Sequence, residues 1–251
     1  MDRCTVSGAL MLEQLLTHGL QWVTYFSEAL LVGVLVLRGQ WKRQAGVFLY
    51  LFLFLFLDGA VRPYALFHYG LKSPHHEYYY VYWLTDVILT VSAFALVCWF
   101  FRRACASDEK MWHKLRPMLG FVFILLAAIS YFMIASKIHD FYSDFVTQLQ
   151  QNTYFACLVL TTLLYVMLQT AEAQDAQLAM LVCGMGILFA APAAVLAAFK
   201  LFPRSDYVSI LINHVDQLCT LGMLFTWWYA ITKLPYGATV RMDVPAVAEL
   251  Q

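Results

Sequence analysis

The chain has 251 residues, of which 62% are apolar and only 13% charged, with 16 basic side chains against 16 acidic ones. A water-soluble domain usually carries about a quarter charged residues, so this chain has too few ionic groups to cover a soluble surface. Balanced charge excludes a basic nucleic-acid face and offers nothing to an acidic partner; the partner implied by composition is the lipid bilayer.

Seven apolar runs approach the roughly 20 residues that a helix needs to cross a bilayer at 1.5 Å per residue. They cover about 16–37, 46–67, 78–101, 115–135, 153–168, 178–202 and 207–234. The expected fold is all-α, a polytopic transmembrane bundle of about seven helices forming one domain over 1–251. The first run is too long for a signal peptide and no small-residue cleavage site follows it. The segment LFLFLFL (51–57) alternates strictly, but both partners are apolar, so it predicts a lipid-facing helix rather than a half-buried strand. Short connections carry turn residues, as in Arg38-Gly39-Gln40, Lys72-Ser73-Pro74 and Phe202-Pro203-Arg204-Ser205. Pro235 and Gly237 stop the last helix.

Lysine and arginine set the orientation. With the N-terminus outside and the C-terminus cytoplasmic, the inner side holds Arg38, Lys42, Arg43, Arg102, Arg103, Lys110, Lys114, Arg116, Lys233 and Arg241. The outer side then holds Arg3, Lys72, Lys137, Lys200 and Arg204, so the inner face is the richer by two to one. His18, His68, His75, His76, His139 and His214 fall on or near the outer side, and His113 alone inside. The cluster His75-His76-Glu77-Tyr78-Tyr79-Tyr80 has the composition of an interfacial aromatic belt.

Ionisable groups at bilayer depth cost about 2.5–3.5 kcal/mol each on insertion scales, so each needs a reason. Along the chain they are Glu28 in the first helix, Asp58 and Arg62 in the second, Asp86 in the third and Asp216 in the seventh, the last beside Asn213, His214 and Gln217. From the helical rise, Arg62 lies about 9 Å below the outer interface, Asp86 and Asp216 about 12–13 Å, and Asp58 and Glu28 about 15–18 Å. Asp58 and Arg62 are four apart and share a face. Four carboxyls against one guanidinium leave an excess that lipid does not tolerate: some must be protonated, pair with a cation or line a wet cavity. These eight residues form the candidate ligand or ion pocket, with His68, His75, His76, Tyr80 and Tyr82 at its mouth. The competing reading is an ion-pair lock holding helices 2, 3 and 7 together. Pro63 and Pro192 are expected to kink helices 2 and 6, and Gly184, Gly186 and the run 190–194 suit close packing.

Cys4, Cys98, Cys105, Cys157, Cys183 and Cys219 show no CxxC pair and no zinc spacing, and read as small apolar residues. Helix 7 has no lysine between Tyr207 and Thr232 for a retinal Schiff base, and His214 stands without the His-x-x-x-His of membrane zinc hydrolases. No nucleophile motif occurs. No metal and no cofactor are expected, and an enzyme is the least favoured reading. Helices 1–3 and 5–7 could form two parallel repeats, with Asp86 matching Asp216 and Pro63 matching Pro192.

The segment YYYVYWLTDVILT (78–90), the Asp58-x-x-x-Arg62 face before it and the closing FTWWYAI (225–231) resemble a family of uncharacterised seven-helix integral membrane proteins common in Acidobacteria. The resemblance implies a bacterial inner-membrane protein and no established activity. The resulting expectation is a sensory or small-ligand-binding module in the plasma membrane, signalling to a separate partner through the basic loop Arg102–Arg116. The alternative is a proton-coupled small-solute transporter using the same carboxyls, and the third reading is a membrane-embedded enzyme.

Overall fold

The structure, a computed structural model, describes residues 3–70, 77–106, 109–134, 141–170, 175–201 and 206–234. Side chains of 3–18, 77, 133–134, 141–144, 192–201, 206–213 and 216 fall outside the description. The described residues form seven long helices and no strand: α1 (Arg3–Leu37), α2 (Ala45–Tyr69), α3 (Glu77–Ala104), α4 (Glu109–Ile134), α5 (Phe141–Thr170), α6 (Ala176–Leu201) and α7 (Asp206–Lys233). Several run past the apolar segments that predict them. Polar helix formers such as 109–114 and 141–152 continue the backbone hydrogen bonds beyond the hydrocarbon, so hydropathy marks the membrane and not the helix end.

Five of these helices contain stretches long and apolar enough to cross a bilayer: Gly19–Leu37, Ala45–Tyr69, Tyr78–Ala104, Glu109–Phe132 and Phe145–Thr170. Within α6 the described apolar stretch is shorter, Ala176–Ala191. Large apolar side chains point outward, among them Trp22, Phe26, Phe67, Phe121, Phe132 and Phe225. A surface of this kind suits lipid and is the surface of a multi-pass membrane protein. The LFLFLFL segment is helical and presents Phe52 and Phe56 outward, while Leu51 and Leu57 turn into the core. Its lipid-facing role belongs to one face only.

Among the described residues, packing runs α1–α2–α3–α5–α6–α7 and back to α1, with α4 laid against the outside of α5. Half of the span of α3 is buried against 11% of that of α4. The tightest contact joins α6 and α7. There Gly184 lets Trp227 lie against the α6 backbone: a Cβ at 184 would sit 2.6 Å from the indole ring. Trp227 is fully buried and donates from Nε1 to the Leu181 carbonyl at 2.9 Å, and Tyr50 meets it edge-on. Gly46 does the same for Trp99 between α2 and α3. Gly186, by contrast, faces open space.

One end of the bundle is fastened by polar caps. Asp175 accepts from the Leu178 N–H at 3.1 Å, as an N-cap residue does for the third helical residue. Its other oxygen accepts from Arg103 Nη2 at 2.7 Å. Gln177 accepts from the same nitrogen and donates to the Ala230 carbonyl at 3.1 Å. Arg38 donates to the Ile231 and Thr232 carbonyls, two of the acceptors that the end of α7 leaves open. Gly39 adopts φ +65° just past α1, a left-handed turn that glycine enters without a Cβ penalty.

Candidate functional site

At the opposite end of α1–α3 a second polar set forms around Arg62. The backbone of α2 prepares it. From Leu57 to Val61 the helix widens into a π-turn, and the Arg62 N–H reaches back to the Leu57 carbonyl rather than to Asp58. The next donor would be residue 63, which is proline and has none. The Asp58 carbonyl therefore loses both helical donors, and the Tyr25 hydroxyl of α1 supplies one at 3.3 Å. Proline was expected to kink this helix; the structure absorbs it as a π-turn, a device often found at functional sites.

The same hydroxyl sits 3.1 Å from Asp58 Oδ2 and accepts from Gln21 Nε2 at 2.8 Å. Asp58 Oδ1 accepts from Arg62 Nη1 at 2.7 Å. Arg62 Nη2 donates to Asp86 Oδ1, and its Nε donates to Thr85 Oγ1 at 2.9 Å. Thr85 in turn donates to the Tyr82 carbonyl at 2.7 Å. The guanidinium also lies 4.3 Å from the centre of the Tyr82 ring, within cation–π range. Its three nitrogens thus serve two carboxylates and a hydroxyl in the fork geometry that distinguishes Arg from Lys. All three charged side chains are less than a quarter exposed.

Glu28 lies one turn beyond Tyr25 on α1, in the buried stripe Thr24, Glu28, Leu31, Leu35. It is 0% exposed, and neither carboxylate oxygen has a hydrogen-bond partner among the described residues. Beyond it the bundle turns apolar: Leu31, Leu35, Tyr50, Leu51, Trp227 and Ile231 are all buried in one cluster. The site is therefore a polar layer above an apolar one.

Glu28, Asp58, Arg62 and Asp86 occupy the three neighbouring helices α1–α3, and Asp58, Arg62 and Asp86 are directly joined. Tyr82, expected at the mouth, is instead a wall of the site against the guanidinium. Tyr80 is exposed and packs on Trp83, and His68 stacks on Tyr64 and meets Tyr69, as members of an aromatic belt do. On α7, His214 and Gln217 are half-buried, and His214 Nδ1 and Gln217 Oε1 have no hydrogen-bond partner among the described residues. The side chains of Cys4, His18, Asn213 and Asp216 and the whole of His75, His76 and His139 lie outside the described residues. The ion-pair connection therefore runs through helices 2 and 3, with helix 1 joining through Tyr25; among the described residues no bond ties it to helix 7. Tyr25, Gln21 and Thr85 are site members that the ionisable residues alone do not reveal. Tyr25 carries a usable signal, since it lies three residues before Glu28 and so on the same face.

No group of three His, Cys, Asp or Glu side chains placed to hold a metal occurs among the described residues. Cys105 and Cys157 are buried, and Cys183 faces outward. No protein-family model, curated protein or solved structure matches this chain. The chemistry of the site is what remains to read: a desolvated guanidinium held by two acids, an aromatic face, and a third acid below them with open hydrogen-bonding capacity.

Proposed function

We propose that the chain is a sensory or small-ligand-binding module of a bacterial plasma membrane, with seven spanning helices, the N-terminus outside and the C-terminus cytoplasmic. The observation that carries this reading is the layering of α1–α3. Polar groups from Gln21 to Glu28 fill the half that the lysine and arginine count assigns to the outside, and a packed apolar layer closes the half below it. A one-sided polar layer suits a receptor, which needs access from one face only. Ligands that complement it carry a cationic or hydrogen-bond-donating group for the excess of carboxyls over Arg62, and an apolar or aromatic body for Tyr25 and Tyr82. The acidobacterial resemblance agrees with a bacterial inner membrane. A signalling partner would meet the exposed basic side chains on either side of the α3–α4 connection, Arg102, Lys110 and Lys114, because Arg103 is already engaged by Asp175.

One observation favours the runner-up, a proton-coupled transporter. Glu28 is an unpartnered carboxyl between the polar and apolar layers, the place where a relay would need one. Vesicles reconstituted with this protein alone separate the two. A receptor leaves an imposed proton gradient to decay as in empty vesicles, whereas a transporter dissipates it faster and loses that activity on Glu28→Gln. A cytoplasm-specific reporter fused after Gln251 tests the orientation; activity only from a periplasm-specific reporter reverses it.

A further inference from the structure

α3 and α4 are consecutive in the chain and joined by a short turn, yet they scarcely touch. Between them runs a groove of about 560 Å³, within the range of small-molecule sites. Its α4 wall is Trp112, Arg116, Gly120 and Phe123, residues three or four apart and so on one face. From Trp112 to Ile124 this face is about 18 Å long. Val91, Ala95 and Cys98 line the α3 side, and Phe94 closes the floor against Phe123 with ring centres 5.0 Å apart. Gly120 meets nothing within 4 Å of where a Cβ would be, so the missing side chain leaves the groove open.

The groove is apolar except at the end nearest the α3–α4 turn, where Arg116 lines it beside Trp112. Arg116 is exposed and makes no ion pair among the described residues. Arg102, Lys110 and Lys114 are exposed at the same end, and Glu109 is already turned toward His113. An apolar cleft about 18 Å long, opening sideways from a membrane helix and capped by an unpaired guanidinium, matches a molecule with a long apolar chain and an anionic head.

We propose that this groove is a binding site for one anionic phospholipid, with its phosphate on Arg116 and an acyl chain lying between α3 and α4. Under the orientation given by the basic residues, the site opens to the inner leaflet, where anionic headgroups meet basic pockets between helices. Trp112 then stands at headgroup level, as interfacial tryptophans do. The lipid fills the gap that the two helices leave and holds α4, the least buried of the five spans, against the bundle.

The test is native mass spectrometry of the full chain, stripped in neutral detergent and titrated with phosphatidylglycerol or with phosphatidylcholine of the same acyl chains. The first bound lipid should favour phosphatidylglycerol by about fivefold, the weight of one cationic contact near the headgroups. Arg116→Gln should bring the ratio close to one, while Lys114→Gln, off the groove, should leave most of it. Gly120→Phe or, from the other wall, Ala95→Phe should reduce retention of both lipids by filling the space for the chain. A preference that survives Arg116→Gln, or falls equally with Lys114→Gln, overturns the headgroup site. Unchanged retention in both filled variants overturns the acyl groove, as does a lipid-free dimer burying Cys98 of each copy.

Discussion

Each end of the bundle carries an arginine–aspartate pair at about 2.7 Å, and the two pairs do different work. Arg103 and Asp175 meet at helix ends: Asp175 also caps α6, and Gln177 carries the connection on to the α7 carbonyls. That pair balances in charge and finishes backbone groups that the helices leave open. Arg62 lies inside a span, bonded to two acids on two helices, beside a π-turn, with Glu28 unpartnered a turn away. Identical chemistry fastens the fold in one place and leaves unused acceptor capacity in the other. What separates a lock from a site is the balance of partners, and of these two sets the one around Arg62 is out of balance among the described residues.

The largest effect expected from breaking this contrast is at Arg62. Arg62→Leu strands Asp58 and Asp86 in a poorly hydrated place and should cost about 3–5 kcal/mol in detergent melting. Adding Asp58→Asn and Asp86→Asn should recover part of that loss, because the three side chains are coupled. Simple additivity of the three changes means that the network does not exist in the protein.

Next in size is the packing of α6 on α7. Gly184→Ala drives a methyl into Trp227 and disturbs its bond to Leu181, so a loss of about 1–3 kcal/mol is expected. Gly186→Ala, two residues on and facing open space, should stay within about 0.5 kcal/mol of the parent. Equal losses at the two glycines contradict the close approach at Trp227.

At the clamp, Asp175→Ala removes a cap and an ion pair together and should cost about 0.5–2 kcal/mol. Asp175→Asn keeps a capping oxygen and should lose less. A comparably small effect is expected from Tyr25→Phe, which removes one hydroxyl from the Asp58 carboxylate and carbonyl, about 1 kcal/mol by unfolding. A neutral result there means that water replaces the hydroxyl and the α1 wall is wet.

Much of this was legible in the residues. Apolar runs located the seven helices of the described residues, and five of these hold the roughly 20 apolar residues that crossing a bilayer demands. The i, i+4 spacing put Asp58 and Arg62 on one face, and helical rise put Asp86 within reach of them. The π-turn was not legible: Pro63 announces a missing donor, but a kink and a π-turn both answer it. Nor was the Arg103–Asp175 pair, whose members stand 72 positions apart and meet only because α3 and α6 end at the same side of the bundle. Tyr82 was placed at the mouth because an aromatic residue near an interface usually belongs to the belt. Only the rotation of α3 turns its ring onto the guanidinium.

The central claim is that the Arg62 layer opens to one face and is sealed from the other. In a chain with its native cysteines replaced, Tyr82→Cys stands at the wall of the polar layer and Leu35→Cys in the apolar one. Labelling with a membrane-impermeant thiol reagent, in right-side-out and inverted vesicles, reads access from each face. The account predicts that the cysteine at 82 reacts only from the face bearing the N-terminus and that the cysteine at 35 reacts from neither. Protection of position 82 from both faces would reduce the Arg62 set to a helix lock, and reaction of position 35 from the opposite face would make the bundle a through-path.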